Sequence, residues 1–507
     1  MVKFSRSLIH RRPDPLPASF VFGVGTADHQ CEAFDPRCPD VWDTWEAVHS
    51  QHRVRGESWT PRGRATDFWQ RFPEDIQLAQ ALGCSAFRFS IAWARVEPRP
   101  GQFSNDALAH YRELASIVRS AGMEPVVTLM HLVWPQHVEE RGGLRAPDFP
   151  AWFGEYAARV RDALGDLARY WLTINEPDTL ILGYMKPWWT PEYLWPPGLE
   201  DGADEAESMR ATAEVVRNLF RAHRAGRLAV RAGPGGEQRL VSANSYYLGL
   251  PNRMWRLPFP LVRLVDWLAR STRAWSEEDW VLRQGRIVVR PPSDRRELLR
   301  PALTSNAGLA LAPRQLGYLV EEVETLSFLF SFLASNWWQL GLRGDLPTFL
   351  CPPECRGQLD YVAFDYYYGT PFVHRIGRLL DVFERRYDHA PIWAHGLYGA
   401  LHYFQSMFPR LPVFVVENGV AGRAGDRKRG RYISNHVRQV QRAREDGVNV
   451  SGYLVWSLTT NREWGLPAGP SGDFGLYHID LEGDPSLTRH PTPAAAAYAE
   501  LLRQRGV

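Results

Sequence analysis

The feature that most constrains this chain is an alternation of strand-like and helix-like stretches along nearly its whole length. The strand-like runs are rich in β-branched and aromatic residues, and the stretches between them have helical spacing. We predict strands at 20–27, 85–93, 124–131, 170–177, 239–247, 360–367, 412–419 and 450–458. We predict helices at 66–82, 105–121, 149–167, 433–445 and 492–503. Eight strand–helix units predict an α/β protein with the (β/α)8 TIM-barrel fold.

The stretch between the fifth and sixth predicted strands is too long for one crossover helix. We therefore predict a single domain spanning residues 1–507, with a barrel core at about 18–505 and an insertion at about 248–359. Within the insertion, residues 252–276 combine arginines with an amphipathic pattern, so this segment could lie on a membrane surface. A helix packed on the barrel with solvated arginines is the favoured interpretation.

A second part of the insertion is uncharged over eighteen residues, 325–342, which is close to the length that spans a membrane. Asn336, Gln339 and several hydroxyl residues in it favour a buried helix of the barrel instead. No transmembrane segment is predicted.

Composition narrows the class of ligand and the compartment. The 507 residues carry a formal net charge of +2 with a pI near 8.2, which argues against nucleic acid as a partner and favours an uncharged small molecule. The five cysteines are odd in number and sparse, so no disulfide framework is expected. Residues 1–13 are basic but lack the apolar core of a secretory signal, so a cytoplasmic location is predicted.

Polar and aromatic side chains stand at or just after the ends of the predicted strands. In a TIM barrel these ends meet at one mouth, where the active site forms. A single residue of this kind is usually a hydrogen-bonded loop anchor, but here every strand contributes at least one. The candidates are Gln30, Arg88, His131, Asn175, Glu176, Asn244, Tyr246, Tyr367, Glu417, Trp456, Glu463 and Trp464.

Two of these candidates are carboxylates that close β-branched runs, Glu176 within Thr173–Pro177 and Glu417 within Val415–Gly419. Cleavage of a glycosidic bond needs one carboxylic acid to protonate the leaving oxygen and one carboxylate facing the anomeric carbon. The pair therefore suggests a sugar-cleaving site. Other chemistries lack their motifs, because the chain has no Walker loop, His-Glu-x-x-His or Gly-x-Ser-x-Gly, and Asp28 replaces the third glycine after Gly23 and Gly25.

These motifs resemble those of glycoside hydrolase family 1, the β-glucosidase family, over nearly the full length. The resemblance is carried by residues 20–32, 41–45, 87–93, 173–177, 360–367, 415–419 and 452–458. It implies a retaining β-glycosidase, with β-glucosidase as the leading prediction, acting on a small-molecule β-glycoside without cofactor or metal.

The resemblance also implies a role for each matching residue. Glu176 corresponds to the general acid/base and Glu417 to the nucleophile, with Arg88 and Tyr367 beside the nucleophile and Asn175 at the sugar 2-hydroxyl. The positions that bind the glycone, the sugar transferred to the enzyme, correspond to Gln30, His131, Glu463 and Trp464, with Trp456 as an aromatic floor. A carboxylate at Glu463 would repel a 6-phosphate, so unphosphorylated sugars are expected.

Three residues depart from the family pattern: Leu132 in place of a tryptophan, Asp365 in place of an asparagine, and Arg462 before Glu463. A carboxylate at Asp365 would oppose ionisation of Glu417. We hypothesise that these changes alter the preference among glucose, galactose, fucose and mannose. Two other functions stay open: transfer of the sugar to an alcohol or lipid acceptor, and a barrel that binds sugar without catalysis.

Overall fold

The computed structural model describes residues 13–49, 53–54, 57–185, 197–199, 205–249, 280–283, 286–289, 337–344, 346, 348, 350–370 and 378–506. Eight parallel strands close into a barrel in the order β1-β8-β7-β6-β5-β4-β3-β2. Their bounds are β1 Val21–Gly25, β2 Ala86–Ser90, β3 Glu124–Met130, β4 Tyr170–Asn175, β5 Leu240–Gly249, β6 Val362–Gly369, β7 Val413–Asn418 and β8 Val450–Trp456. The predicted TIM barrel is confirmed.

A helix follows each barrel strand. These helices are α1 Phe68–Leu82, α2 Asn105–Ser120, α3 Phe149–Leu164, α4 Glu205–Arg231, α5 Trp337–Arg343, α6 Ala394–Met407, α7 Lys428–Glu445 and α8 Pro493–Gln504. Shorter helices occur at Asp28–Cys31, Val41–His49, Trp93–Val96, Gln136–Glu139, Gly143–Arg145, Pro177–Leu180, Leu182–Met185, Gly236–Gln238, Pro353–Cys355 and Leu380–Phe383. Short antiparallel pairs join Arg53–Val54 to Glu57–Ser58, Trp280–Arg283 to Arg286–Val289, and Tyr477–His478 to His490–Pro491.

The period-two alternation of the strands divides the core into two layers. One cluster lies inside the barrel and comprises Ala86, Val126, Leu172, Tyr361, Ala363, Phe414, Val416 and Leu454. The larger cluster lies between the strands and the surrounding helices. On β2, for example, Ala86 belongs to the inner cluster, whereas Phe87 and Phe89 belong to the outer one, where burial of each phenyl ring contributes about 2–3 kcal/mol.

Register shifts near the carboxyl ends of β4 and β7 interrupt the strict alternation. On β7, Val415 pairs with Tyr453 but Asn418 pairs with Val455, so an extra residue is accommodated between them. Val416 belongs to the inner cluster, and the next residue, Glu417, also faces the interior, where Arg88 contacts it. A bulge of this kind aims a side chain that regular alternation would point outward.

The segment between β5 and β6 is described only in part. The predicted surface segment 252–276 lies outside the described residues. Of the uncharged stretch 325–342, the described residues 337–342 belong to α5, in which Trp337 and Trp338 are buried and Trp338 stacks on Phe220 at 4.4 Å. Within the described part of the chain, no helix combines the length and the apolar character needed to cross a membrane.

Candidate active site

The ten residues to which the resemblance assigns a role lie together at the carboxyl ends of the strands, around one cavity. Nine of them line the cavity: Gln30, His131, Asn175, Glu176, Tyr367, Glu417, Trp456, Glu463 and Trp464. The tenth, Arg88, is fully buried and contacts Glu417. Of the two further candidates, Tyr246 lines the cavity and Asn244 bonds Asn175 beside it.

Glu417 receives a hydrogen bond on each carboxylate oxygen. Arg88 Nη1 donates to Oε1 at 2.5 Å, and the Tyr367 hydroxyl donates to Oε2 at 2.6 Å. The remaining donors of Arg88 bond Thr128 Oγ1 at 3.0 Å and Asn175 Oδ1 at 2.6 Å. A fixed guanidinium charge and a hydroxyl donor both favour the ionised form of this carboxyl group.

Glu176 lies at the junction between β4 and the short helix Pro177–Leu180. Its backbone adopts a left-handed conformation with φ of 42°, which turns the chain from strand to helix and leaves the side chain lining the cavity. Burial, followed by the nearby charge of Glu417, raises the pKa of Glu176 to about 8, although the Thr179 hydroxyl donates to Oε2 at 2.7 Å and acts in the opposite direction. Glu176 is therefore protonated at neutral pH.

The carboxyl groups of Glu176 and Glu417 approach each other closely. An oxygen of each, together with one from Asp365, lies within 4.8 Å of the others. Carboxyl groups about 5–5.5 Å apart are typical of glycosidases that retain the anomeric configuration, whereas inverting enzymes need a wider gap to admit a water molecule. The geometry fits a nucleophile and an acid on the same glycosidic bond.

A second group of polar residues also lines the cavity. Gln30 Nε2 donates to Glu463 Oε2 at 2.8 Å, while Gln30 Oε1 and His131 Nδ1 have no hydrogen-bond partner among the described residues. The His131 ring stacks between Trp456, at 5.5 Å, and Trp464, at 6.1 Å. Polar atoms left free at the cavity beside flat aromatic rings match the hydroxyls and the apolar face of a sugar.

Comparison with known proteins places this arrangement in a family. A model described as glycosyl hydrolase family 1 matches residues 12–233 and 382–507, which together exceed half of the chain. The chain belongs to glycosyl hydrolase family 1. It is therefore an O-glycosyl hydrolase.

Several proteins are similar to this family 1 member over nearly its whole length. A 1,4-beta-D-glucan glucohydrolase from Thermotoga neapolitana is 26% identical over 521 residues, covering 97% of this chain and 99% of the relative. A cyanidin 3-O-glucoside 7-O-glucosyltransferase (acyl-glucose) from Delphinium grandiflorum is 26% identical over 513 residues, covering 97% and 91%. The solved structure of a beta-glucosidase from Thermotoga maritima in complex with deoxynojirimycin has a TM-score of 0.67 at 22% identity, covering 97% of this chain and 99% of that one, which supports the fold.

The residues that depart from the family 1 pattern occupy different places. Leu132 lines the cavity with an apolar side chain, whereas Trp134 is buried elsewhere and donates its indole N–H to Glu139 at 2.7 Å. Arg462 pairs with Glu482 at 2.5 Å and is not among the residues that line the cavity. Asp365 does not line the cavity either, but its carboxyl group has an oxygen within 4.8 Å of those of Glu176 and Glu417. Of the departures, Leu132 and Asp365 therefore bear most directly on the site.

Two electrostatic expectations from the sequence need correction. Burial, and then the charges of Glu417 and Glu176, raise the pKa of Glu463 to about 8, so this group is mostly protonated at neutral pH. The same causes raise the pKa of Asp365 well above its usual range. A neutral Asp365 does not oppose the ionisation of Glu417 as a second carboxylate would.

Several side chains at the site were not among the predicted site residues. Thr179 follows Glu176 by one helical turn, a spacing that could have identified it. Tyr387 and Phe474 extend the aromatic wall of the cavity from long loops, where no local pattern marks them. Arg385 donates to the carbonyl of Trp464 and stacks on Trp59 at 4.0 Å, and only the three-dimensional structure reveals this contact.

Two clusters among the described residues have the spacing of metal ligands. They are His29 with Asp40 and Asp43, and Glu176 with Asp365 and Glu417. In the first, Arg62 already pairs with Asp43 at 2.6 Å and with Asp40 at 3.4 Å. In the second, Arg88 pairs with Glu417 at 2.5 Å, so a guanidinium contacts each cluster.

Proposed function

We propose that this protein is a retaining β-glucosidase in which Glu417 is the nucleophile and Glu176 the general acid/base. The observation that carries the proposal is the inequality of two neighbouring carboxyl groups. Glu417 is bonded by Arg88 and Tyr367, whereas the pKa of Glu176 is raised to about 8. Two adjacent carboxyl groups whose environments separate their protonation states are typical of an acid and a nucleophile.

The first step uses both groups at once. Glu417 attacks the anomeric carbon while Glu176 gives its proton to the departing oxygen, so the carbon–oxygen bond of the aglycone breaks and a glycosyl ester forms. Asn175, fixed by Arg88, is placed to bond the sugar 2-hydroxyl, and this contact strengthens as positive charge develops on the ring.

The second step reverses these roles. Glu176, now a carboxylate, removes a proton from water, and the resulting hydroxide attacks the anomeric carbon and releases Glu417. Two inversions at the same carbon leave the β configuration of the sugar unchanged.

The substrate we propose is a small-molecule β-glycoside of an unphosphorylated sugar. Gln30, His131 and Glu463 line the cavity with groups that can bond sugar hydroxyls, and the Trp456 ring offers an aromatic surface for the apolar face of the sugar. Leu132 offers no hydrogen bond at the cavity wall, which supports the hypothesis of an altered glycone preference. A panel of aryl β-glycosides tests this hypothesis, and a plain preference for glucose would contradict it.

Transfer of the sugar to an acceptor other than water is a second candidate function. The similar Delphinium protein is named as a glucosyltransferase, and Tyr246, Tyr387 and Phe474 form an aromatic wall at the same cavity. The balance between hydrolysis and transfer is measured by quantifying the transfer products formed when an alcohol is added. Purely hydrolytic products would exclude this candidate function. A cytoplasmic location stays a prediction.

The assignment of the two glutamates is tested with Glu176→Ala and Glu417→Ala on an activated aryl β-glucoside, with and without azide. Azide should rescue Glu417→Ala and give the α-glycosyl azide, because it replaces the nucleophile in a single inversion. It should rescue Glu176→Ala and give the β-glycosyl azide, because it intercepts the ester on Glu417. The opposite stereochemistry would reverse the assignment, and activity in both variants without azide would refute it.

A further inference from the structure

Asp365 is a third buried carboxyl group beside the catalytic pair. On β6 it pairs in register with Glu417 of β7 and with Tyr246 of β5, so its side chain lies next to that of Glu417. It is fully buried, and the amide of Asn244 donates to its Oδ2. Among the residues that the structure describes, no hydrogen-bond donor reaches its Oδ1.

The charges around this cluster do not balance if every carboxyl group is ionised. Oxygens of Glu176, Asp365 and Glu417 lie within 4.8 Å of one another, and the cation bonded to the cluster is Arg88. Three carboxylates and one guanidinium would leave two uncompensated negative charges in a buried site. Carboxyl groups that share such a site retain protons instead.

The hydrogen-bond donors indicate where the protons reside. Glu417 accepts from both Arg88 and Tyr367, so it is the group best suited to carry a negative charge. Glu176 and Asp365 each accept from one neutral donor, Thr179 and Asn244 respectively. Oxygens of the Glu176 and Asp365 carboxyl groups also lie within 4.8 Å of each other.

We propose that Asp365 is a neutral partner of Glu176 that keeps its own proton and donates a hydrogen bond to the Glu176 carboxylate formed during turnover. The proposal rests on the retaining mechanism above. The proton of Glu176 leaves with the aglycone oxygen, and a proton from water later returns to Glu176. Asp365 neither gains nor loses a proton, so it is a positioning residue that stabilises Glu176 while that group acts as a base.

The groups that face Asp365 come from five strands and from the β4 junction. They are Arg88 of β2, Asn175 of β4 with the adjoining Glu176, Asn244 and Tyr246 of β5, Tyr367 of β6 and Glu417 of β7. Arg88 is the cation among them, and it donates to Glu417, the Val416 carbonyl, Asn175 and Thr128. Stabilisation of an ionised Asp365 is therefore weak compared with that of Glu417.

Infrared difference spectroscopy of the whole protein tests the protonation state directly. At about pH 6, below the Glu176 pKa of about 8, the difference between wild type and Asp365→Asn should show the carbonyl-stretch band of a protonated carboxyl group. The exposed Asp162→Asn variant is the matched control and should show only the loss of ionised carboxylate bands. Loss of carboxylate bands from Asp365→Asn would overturn the proposal.

Kinetics test the hydrogen bond. Asp365→Asn keeps a donor and should lower kcat/KM by less than about tenfold, whereas Asp365→Leu removes the donor and should lower it by more than about tenfold. In a plot of kcat/KM against pH, the basic limb of Asp365→Asn should stay within about half a pH unit of the wild-type limb, because one neutral group replaces another. Equal losses in both variants, or a basic limb that falls by a unit or more, would overturn the proposal.

The proposed function and this inference can fail separately. If neither the wild type nor any variant hydrolyses a β-glycoside, the proposed function fails. The infrared spectra still report whether Asp365 carries a proton. If hydrolysis follows the retaining course and Asp365 is ionised, only the inference fails.

Discussion

Glu176 and Glu417 are the same type of residue but have different groups around them. Each is nearly buried, but Glu417 faces a guanidinium and a hydroxyl, whereas Glu176 faces one hydroxyl and the charge of its neighbour. Burial without a cation favours the neutral form of a carboxyl group. The division of labour in the proposed mechanism therefore follows from the placement of Arg88.

The Thr179 hydroxyl offers a direct test of this control. It donates to Glu176 and so favours the ionised form, and Thr179→Val should raise the pKa of Glu176 further. The basic limb of kcat/KM, expected near pH 8 in the wild type, should move upward by about one pH unit. Thr173→Val is the control, because Thr173 lies on β4 but bonds His223 away from the cavity, and its limb should not move.

Removal of Arg88 should affect stability as well as activity. Arg88→Met removes the guanidinium donors from Glu417 and Asn175 in a buried site. The free energy of unfolding should fall by about 3–5 kcal/mol, as is typical when one partner of a buried ion pair is lost. Urea unfolding followed by tryptophan fluorescence measures this change.

The matched control for that experiment is Arg112→Met. Arg112 pairs with Asp166 at 2.7 Å on the exposed surface, where such pairs contribute about 0–1 kcal/mol. A comparable loss of stability in both variants would show that the cross-barrel position of Arg88 has no special importance.

The ten site residues with an assigned role could be located from the sequence, because strand ends in a barrel converge on one mouth. The raised pKa values of Asp365 and Glu463 could not be predicted, since burial and the approach of like charges arise only after folding. Arg385 and Tyr387 were also missed, because they reach the site from a loop with no periodic pattern.

Among the secondary-structure elements, β7 contains a bulge that directs the Glu417 side chain into the site. Val416 and Glu417 both face inward, so the strand fills the barrel with one side chain and supplies the site with the next. The strands themselves follow from β-branched runs in the sequence. The bulge does not, because it depends on register with β6 and β8.

The contact between α3 and α4 depends on a close approach at Gly226. A β-carbon built there would lie 2.7 Å from Phe153 Cε1 and 3.2 Å from Thr173 Cγ2. Gly226→Ala should lower the free energy of unfolding by about 1–3 kcal/mol, although alanine favours helices. Thermal or urea unfolding measures the change.

Gly469→Ala is the control for this substitution. A β-carbon at Gly469 meets no atom within 4 Å, and stability should stay the same or rise by less than about 1 kcal/mol. Equal stability of Gly226→Ala and the wild type would show that the α3–α4 contact can adjust to an added methyl group.

At the scale of the whole molecule, several buried groups keep protons that the unfolded chain would release. The pKa is raised to about 7 for Asp28, to about 8 for Glu176 and Glu463, and to about 10 for His29. Above about pH 6.5 the unfolded chain has lost these protons while the folded chain retains them. Stability should therefore fall as pH rises toward 8, by about 1.4 kcal/mol per pH unit for each retained proton.

Unfolding at about pH 6.5 and pH 8 measures this slope. Glu463→Gln should make the free energy of unfolding less dependent on pH, because the variant lacks one of the groups that keep a proton in the folded state. The exposed Glu237→Gln variant should keep the wild-type slope. A stability that rises between these two pH values would contradict the prediction.

Arg88 also connects strands that are not neighbours in the barrel. From β2 it reaches Glu417 and the Val416 carbonyl on β7, and Asn175 on β4. In the proposed mechanism this connection weakens once per cycle, since the ester on Glu417 no longer carries the carboxylate charge. We therefore expect the ion pair that joins β2 to β7 to be stronger in the free enzyme than in the covalent intermediate.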